Sequence, residues 1–179
     1  MAIRRPRKVA VIHCAGGSPL RDGVVREDLP HDCNEILTLH PDGITLCAFG
    51  CLGGGTCAAA CRRDAIVVEG GVARVLRGRC VGCGLCAKAC PRHLITLEPA
   101  ENTIQVRCSN QSKAPQARKE CKNSCIGCGI CERSCPAGAI HVIDGRAQID
   151  AEQCLACGMC ATKCPRGAIH DGRGIFTVE

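Results

Sequence analysis

Three segments of this chain carry four cysteines spaced i, i+3, i+6 and i+10 and followed by proline: Cys80, Cys83, Cys86, Cys90 with Pro91; Cys125, Cys128, Cys131, Cys135 with Pro136; and Cys154, Cys157, Cys160, Cys164 with Pro165. Four thiols in so short a run have few uses. A zinc module separates two C-x2-C knuckles by a spacer, which this pattern lacks. A disulfide framework belongs to an oxidising compartment. The basic Arg4, Arg5, Arg7 and Lys8 precede only a short apolar stretch, residues 9–12, so no secretory leader is read and a reducing cytoplasm is expected. Three closely spaced thiolates that converge on a polynuclear metal centre require a tight loop, for which Gly82, Gly84, Gly127, Gly129 and Gly158 supply backbone freedom. The proline suits a change of direction, and the pattern predicts a short helical turn after the fourth cysteine, at 136–139 and 165–168.

The spacing C-x2-C-x2-C-x3-C-P is the bacterial ferredoxin signature, in which three thiolates hold one [4Fe-4S] cluster and the fourth reaches the other cluster of a pair. Cys80, Cys83 and Cys86 then share a cluster with Cys61; Cys125, Cys128 and Cys131 share one with Cys164; and Cys154, Cys157 and Cys160 share one with Cys135. The chain also repeats. Cys47, Cys51, Cys57 and Cys61 recur 74 positions on as Cys121, Cys125, Cys131 and Cys135, and Cys80, Cys83, Cys86 and Cys90 recur as Cys154, Cys157, Cys160 and Cys164. One motif is irregular: Gly54 stands where the repeat has Cys128, and Arg62 where the other motifs have proline. Cys51, Cys57 and Cys90 are therefore one thiolate short. Cys47 is the favoured replacement, Cys33 the second candidate, and a [3Fe-4S] cluster the alternative that needs neither. Four clusters are expected in all. Cys14, Cys33, Cys108 and Cys121 are left over and read as buried small hydrophobes, or alternatively as an additional site or a thiol pair.

The chain has 179 residues with 20 cysteines, no Trp, no Tyr and two Phe, so cluster ligation rather than an aromatic core is expected to order it. Its formal charge of +6 counts every cysteine as neutral. Each oxidised cluster with four thiolates contributes roughly −2, so the excess of Lys and Arg balances buried charge and is no sign of nucleic-acid binding. No run is long enough for direct membrane insertion. The expected fold is α+β: two tandem two-cluster units, residues 1–100 and 101–179, with short helices and β-hairpins. The hairpins are expected at 66–68 with 72–75, at 140–143 with 147–149, and at 168–170 with 175–178. Residues 109–119, polar and containing Pro115, read as a linker or exposed loop.

The strand ending in Cys14, the Asp32-Cys33 pair, the run Cys47-Ala48-Phe49-Gly50-Cys51-Leu52-Gly53-Gly54-Gly55-Thr56-Cys57, and Cys121 through Cys135 together resemble the polyferredoxin part of the clostridial-type B subunit of Rnf complexes. The resemblance implies a subunit that takes electrons from soluble ferredoxin and passes them toward a flavin-containing oxidoreductase partner. Full-length family members begin with a membrane helix and a separate cysteine-rich domain, which this sequence lacks, so a cytoplasmic protein peripheral to a membrane complex through a partner is expected. Phosphate-binding loops, dinucleotide fingerprints and nucleophile elbows are missing from the sequence, which therefore reads as an electron carrier and not as a catalyst on its own. The alternative is a redox enzyme or sensor that uses the non-motif cysteines for thiol chemistry.

Overall fold

The computed structural model describes residues 7–173. Its strands are short, rich in Val and Ile, and paired in twos. β1 (Lys8–Ile12) pairs antiparallel with β4 (Ile95–Pro99), with Val9 opposite Glu98 and Ile12 opposite Ile95. β2 (Ile66–Glu69) and β3 (Val72–Val75) form a hairpin. The second half repeats the arrangement: β5 (Ile104–Val106) pairs with β8 (Ile169–Asp171), and β6 (Ile140–Ile143) forms a hairpin with β7 (Arg146–Ile149). Asp144 and Gly145, both at positive φ, give that second hairpin the left-handed two-residue turn that matches strand twist.

The strand expected to open a hairpin around 171–172 pairs with β5, more than sixty residues earlier in the chain. Its expected partner, 175–178, lies outside the described residues. Each half thus closes on its own first strand, which pairs one edge of β1 and of β5 with the last strand of its half. In this way Ile104, Val106, Ile140 and Ile169 meet in one core, while Val9, Ala10, Ile12, Ile66 and Ile95 meet in the other.

The helices stand one cysteine earlier than the sequence suggests. α2 (Thr56–Ala59), α3 (Leu85–Ala89), α5 (Ile130–Arg133) and α6 (Met159–Thr162) each carry the third cysteine of a motif. Each begins after a glycine in the left-handed region, Gly55, Gly84, Gly129 or Gly158, a conformation that turns the chain sharply out of the cysteine loop. After the fourth cysteine there is only a turn. Residue i+3, which is Asp64, His93, Gly138 or Gly167, is again left-handed, so a helix cannot continue there. That kink aims the next N–H at the cysteine sulfur: Ala65, Leu94, Ala139 and Ala168 donate to Sγ of Cys61, Cys90, Cys135 and Cys164 at 3.4, 3.5, 3.3 and 3.4 Å.

Two further segments give the halves their connection. Residues 109–119 are not simply an exposed loop, because they lead into helix α4 (Ala114–Glu120) with Pro115 in its first turn, where a missing N–H costs nothing. Asn110 within this segment is 1% exposed. The stretch between Cys14 and Cys47 folds over helix α1 (Cys33–Leu39) and has a small core of its own, in which Ile36, Ile44 and Leu52 pack with Leu20, Val24 and Leu29.

Candidate iron-sulfur sites

The regular motifs bring together the cysteines that the sequence groups. Cys61, Cys80, Cys83 and Cys86 line one cavity with Ala10, Ile66 and Leu97. In the second half, Cys131 is pushed up to about 11 by burial first, and then by the like charges of Cys125, Cys164 and Cys128. Cys160 is pushed up to about 12 by burial and by Cys154, Cys131 and Cys135. Backbone amides from the strands complete the shell: Ala10 in β1 donates to Cys80 Sγ and Ala147 in β7 donates to Cys125 Sγ, each at 3.4 Å. Such amide donors favour the charged thiolate.

The irregular motif differs from its expectation. The cavity that holds Cys51, Cys57 and Cys90 is lined by Cys33, not Cys47. Burial first, and then Cys51, Cys33 and Cys90, pushes the Cys57 thiol up to about 12. Gly54 explains why. A Cβ at Gly54 would stand 2.8 Å from Ile36 Cδ1 and 2.9 Å from the Cys33 nitrogen. The start of α1 occupies the space that a cysteine side chain would need and brings its own cysteine there.

The docking of α1 rests on residues that motif spacing alone does not reveal. Asp32 caps the helix, accepting from Asn34 N–H at 2.7 Å and Glu35 N–H at 3.2 Å. Those backbone bonds hold its carboxyl below the usual range. Thr56 Oγ1 accepts the Cys33 N–H at 2.7 Å and donates to the Asp32 carboxylate at 3.1 Å. The sequence carries a signal for this cap: Asp32 followed three residues on by Glu35, just ahead of Ile36 and Leu37, is a helix-start pattern.

Cys47 lies elsewhere, with Cys14, Cys108 and Cys121, where the two halves meet. Burial first pushes Cys47 up to about 11, and the like charges of Cys121, Cys108 and Cys14 add to it. Among the described residues, no three His, Cys, Asp or Glu converge closely enough for a single metal ion. Thiolates around one zinc stand only about 3.8 Å apart at a Zn–S length of about 2.3 Å.

A chain with cysteine sets of this spacing and amide donors on the sulfurs is an iron-sulfur protein of the dicluster ferredoxin class. Two models of the 4Fe-4S dicluster domain match it, at residues 79–140 and 124–168. It holds [4Fe-4S] clusters and acts in electron transfer. More narrowly, it is an RnfB-like iron-sulfur protein. It is 38% identical over 148 residues to the B subunit of the Na(+)-translocating ferredoxin:NAD(+) oxidoreductase complex of Acetobacterium woodii, a match that covers 82% of this chain and 44% of that relative. The chain thus spans less than half the length of that relative. Among solved structures, the formate dehydrogenase - heterodisulfide reductase - formylmethanofuran dehydrogenase complex from Methanospirillum hungatei has a chain 20% identical to this one. That match covers 68% of this chain and 51% of the other, with a TM-score of 0.28.

Proposed function

We propose that this chain relays single electrons through its [4Fe-4S] clusters between a ferredoxin-level donor and a flavin-containing oxidoreductase partner, in a complex related to that of its relative. The observation that supports this reading is that cysteines of different motifs share a cavity, Cys61 with Cys80, Cys83 and Cys86, and Cys90 with Cys33, Cys51 and Cys57, so that neighbouring sets interlock. The ligand sets are Cys61 with Cys80, Cys83 and Cys86; Cys33 with Cys51, Cys57 and Cys90; Cys164 with Cys125, Cys128 and Cys131; and Cys135 with Cys154, Cys157 and Cys160. They fall into two tandem two-cluster units, residues 1–100 and 101–179. Bound clusters supply the one-electron chemistry, and the protein supplies position and tuning.

Exposure differs among the sets. Cys83, Cys128 and Cys157 are exposed, whereas Cys33, which replaces the missing equivalent, is buried. Burial disfavours the negative charge added on reduction, which sets the potential of the irregular site apart from the other three. In the first half, Arg7, Arg62, Arg63 and Arg79 line an open pocket together with Asp64 and Cys80. An arginine-lined surface over a cluster suits an acidic electron donor such as soluble ferredoxin. No helix among the described residues is long and apolar enough to cross a membrane.

The test is anaerobic stopped-flow reduction by a reduced acidic ferredoxin. The charge reversals Arg62→Glu and Arg79→Glu together are expected to slow the second-order rate at least tenfold at low salt and to flatten its salt dependence, with iron content unchanged. An unchanged rate and an unchanged salt slope would exclude this docking surface, and failure of the wild-type clusters to accept electrons would exclude the relay.

A further inference from the structure

Cys14, Cys47, Cys108 and Cys121 belong to none of the sets above, yet they are gathered at one place. Cys47 feels Cys121, Cys108 and Cys14; Cys121 feels Cys14; and Cys108 feels Cys121. Single residues join them in pairs. The Asn110 side-chain amide donates to Cys47 Sγ at 3.6 Å, while its backbone N–H donates to Cys108 Sγ at 3.4 Å. Gly16 donates its N–H to Cys14 Sγ at 3.4 Å, and its carbonyl oxygen lies 3.3 Å from Cys121 Sγ.

The arrangement is symmetric between the halves. Cys47 and Cys121 are repeat equivalents, and Cys14 and Cys108 each stand two residues beyond the equivalent first strands. All four sulfurs are approached by the N–H of the residue two positions on: Gly16, Phe49, Asn110 and Asn123. Cys14 and Cys108 each receive a second amide as well, from Cys51 at 3.4 Å and from Cys125 at 3.2 Å, and those two donors are again repeat equivalents. A neutral thiol is a weak acceptor and gains little from two amide donors. A metal-bound thiolate uses both.

We propose that Cys14, Cys47, Cys108 and Cys121 ligate a fifth cluster of the [4Fe-4S] class, two thiolates coming from each half of the chain. The count of 20 cysteines then divides into five sets of four. The halves are fastened around this point. Ser18 accepts from Cys47 N–H at 2.9 Å and donates to Glu120 O at 2.7 Å, and Lys122 N–H donates to Gly17 O at 3.2 Å. Arg107 donates to Cys14 O at 3.3 Å and Arg166 donates to Cys121 O at 2.8 Å, so that two guanidinium groups face the negative charge a cluster would bring.

The position also has a consequence for the relay. Cys51 and Cys125, whose amides touch the junction sulfurs, stand in the inner ligand set of each half. A cluster here lies one hydrogen bond and one cysteine residue away from each inner cluster. It turns two separate pairs into one continuous path of five carriers, each oxidised as it passes one electron to the next.

This proposal rests on the relay reading and adds to it, and metal analysis separates the two. Full-length protein, purified anaerobically, is analysed for iron, acid-labile sulfide and zinc, then alkylated in its native state and mapped by mass spectrometry. About 20 irons and about 20 sulfides per chain are expected, with Cys14, Cys47, Cys108 and Cys121 protected. The double variant Cys14→Ser, Cys108→Ser is expected to lose about a fifth of the iron and to keep the electron paramagnetic resonance signals of the other clusters. If that variant fails to fold, the wild-type stoichiometry and protection pattern decide the matter. About 16 irons with these four cysteines alkylated, or about 16 irons with one zinc, overturns the fifth cluster and leaves the relay standing. Absence of iron overturns both.

Discussion

Replacing Thr56 by valine removes one hydroxyl and keeps the shape of the side chain. That hydroxyl is the acceptor of the Cys33 N–H at 2.7 Å and a donor to Asp32 at 3.1 Å, and so it fastens α1 to the irregular site. Without it the partly buried Cys33 N–H has no acceptor, at a cost of about 1–3 kcal/mol. Since 1.4 kcal/mol is a factor of ten, the population with α1 undocked rises about 5- to 150-fold. Undocking carries Cys33 away from Cys51, Cys57 and Cys90, so one cluster becomes labile and the others do not. The assay is iron release to a chelator under anaerobic conditions, together with amide hydrogen exchange across α1 (Cys33–Leu39). Thr56→Val is expected to create a fast phase carrying one cluster's share of the iron and to speed exchange in α1. Thr56→Ser, which keeps the hydroxyl, should behave as wild type. Iron release and exchange in Thr56→Val within about twofold of wild type would falsify the view that this hydroxyl holds the fourth cysteine in place.

Four other outcomes follow from the same geometry. Cys33→Ser is expected to leave Cys51, Cys57 and Cys90 with a three-iron signal in electron paramagnetic resonance, and Cys47→Ser to leave that site intact; the reverse result would return Cys47 to it. Ala156 has φ 50, where the equivalent Gly53, Gly82 and Gly127 are also left-handed, so Ala156→Gly should stabilise by about 1 kcal/mol and raise the midpoint of thermal bleaching by about 2–4 °C. His170 is held below its ordinary value of 6.5 by burial first and then by Arg107, with Arg74 also acting against its charged form. Its contribution to stability is therefore intact above about pH 6.5 and is lost as pH falls toward the lower folded value. Iron release should accelerate more in wild type than in His170→Gln between about pH 7.5 and about 5.5, and equal acceleration would remove His170 from the account. Complete removal of iron is expected to abolish the near-native circular dichroism signal and cooperative melting, because cysteine and alanine make up much of both main cores and leave them thin once the clusters are gone.

What is legible along the chain is whatever is local. A ligand triad at i, i+3 and i+6 closes within one loop, so spacing alone groups the sets built on Cys80, Cys125 and Cys154, and short turns mark the hairpins at β2–β3 and β6–β7. The expectations that fail concern direction and distance. Proline after the fourth cysteine of the regular motifs reads as a helix start because it can begin one, but the left-handed residue at i+3 turns the chain to aim an amide at sulfur. The α4 segment reads as a linker because its polar residues present no periodic apolar face, although Asn110 is buried by bonds to Cys47 and Glu120.

The iron-sulfur motifs and the 74-residue repeat of their cysteines are legible in the sequence alone, because each is carried by residues close together or in register at a fixed offset. Tertiary packing is what brings Cys33 into the cavity of Cys51, Cys57 and Cys90 and gathers Cys14, Cys47, Cys108 and Cys121. Cys33 reaches Cys57 through an inserted helix that fills the space beside Gly54, and Cys14 reaches Cys121 across more than a hundred residues. Such contacts are set by how elements pack and by which amides face a sulfur, and no spacing along the chain encodes them.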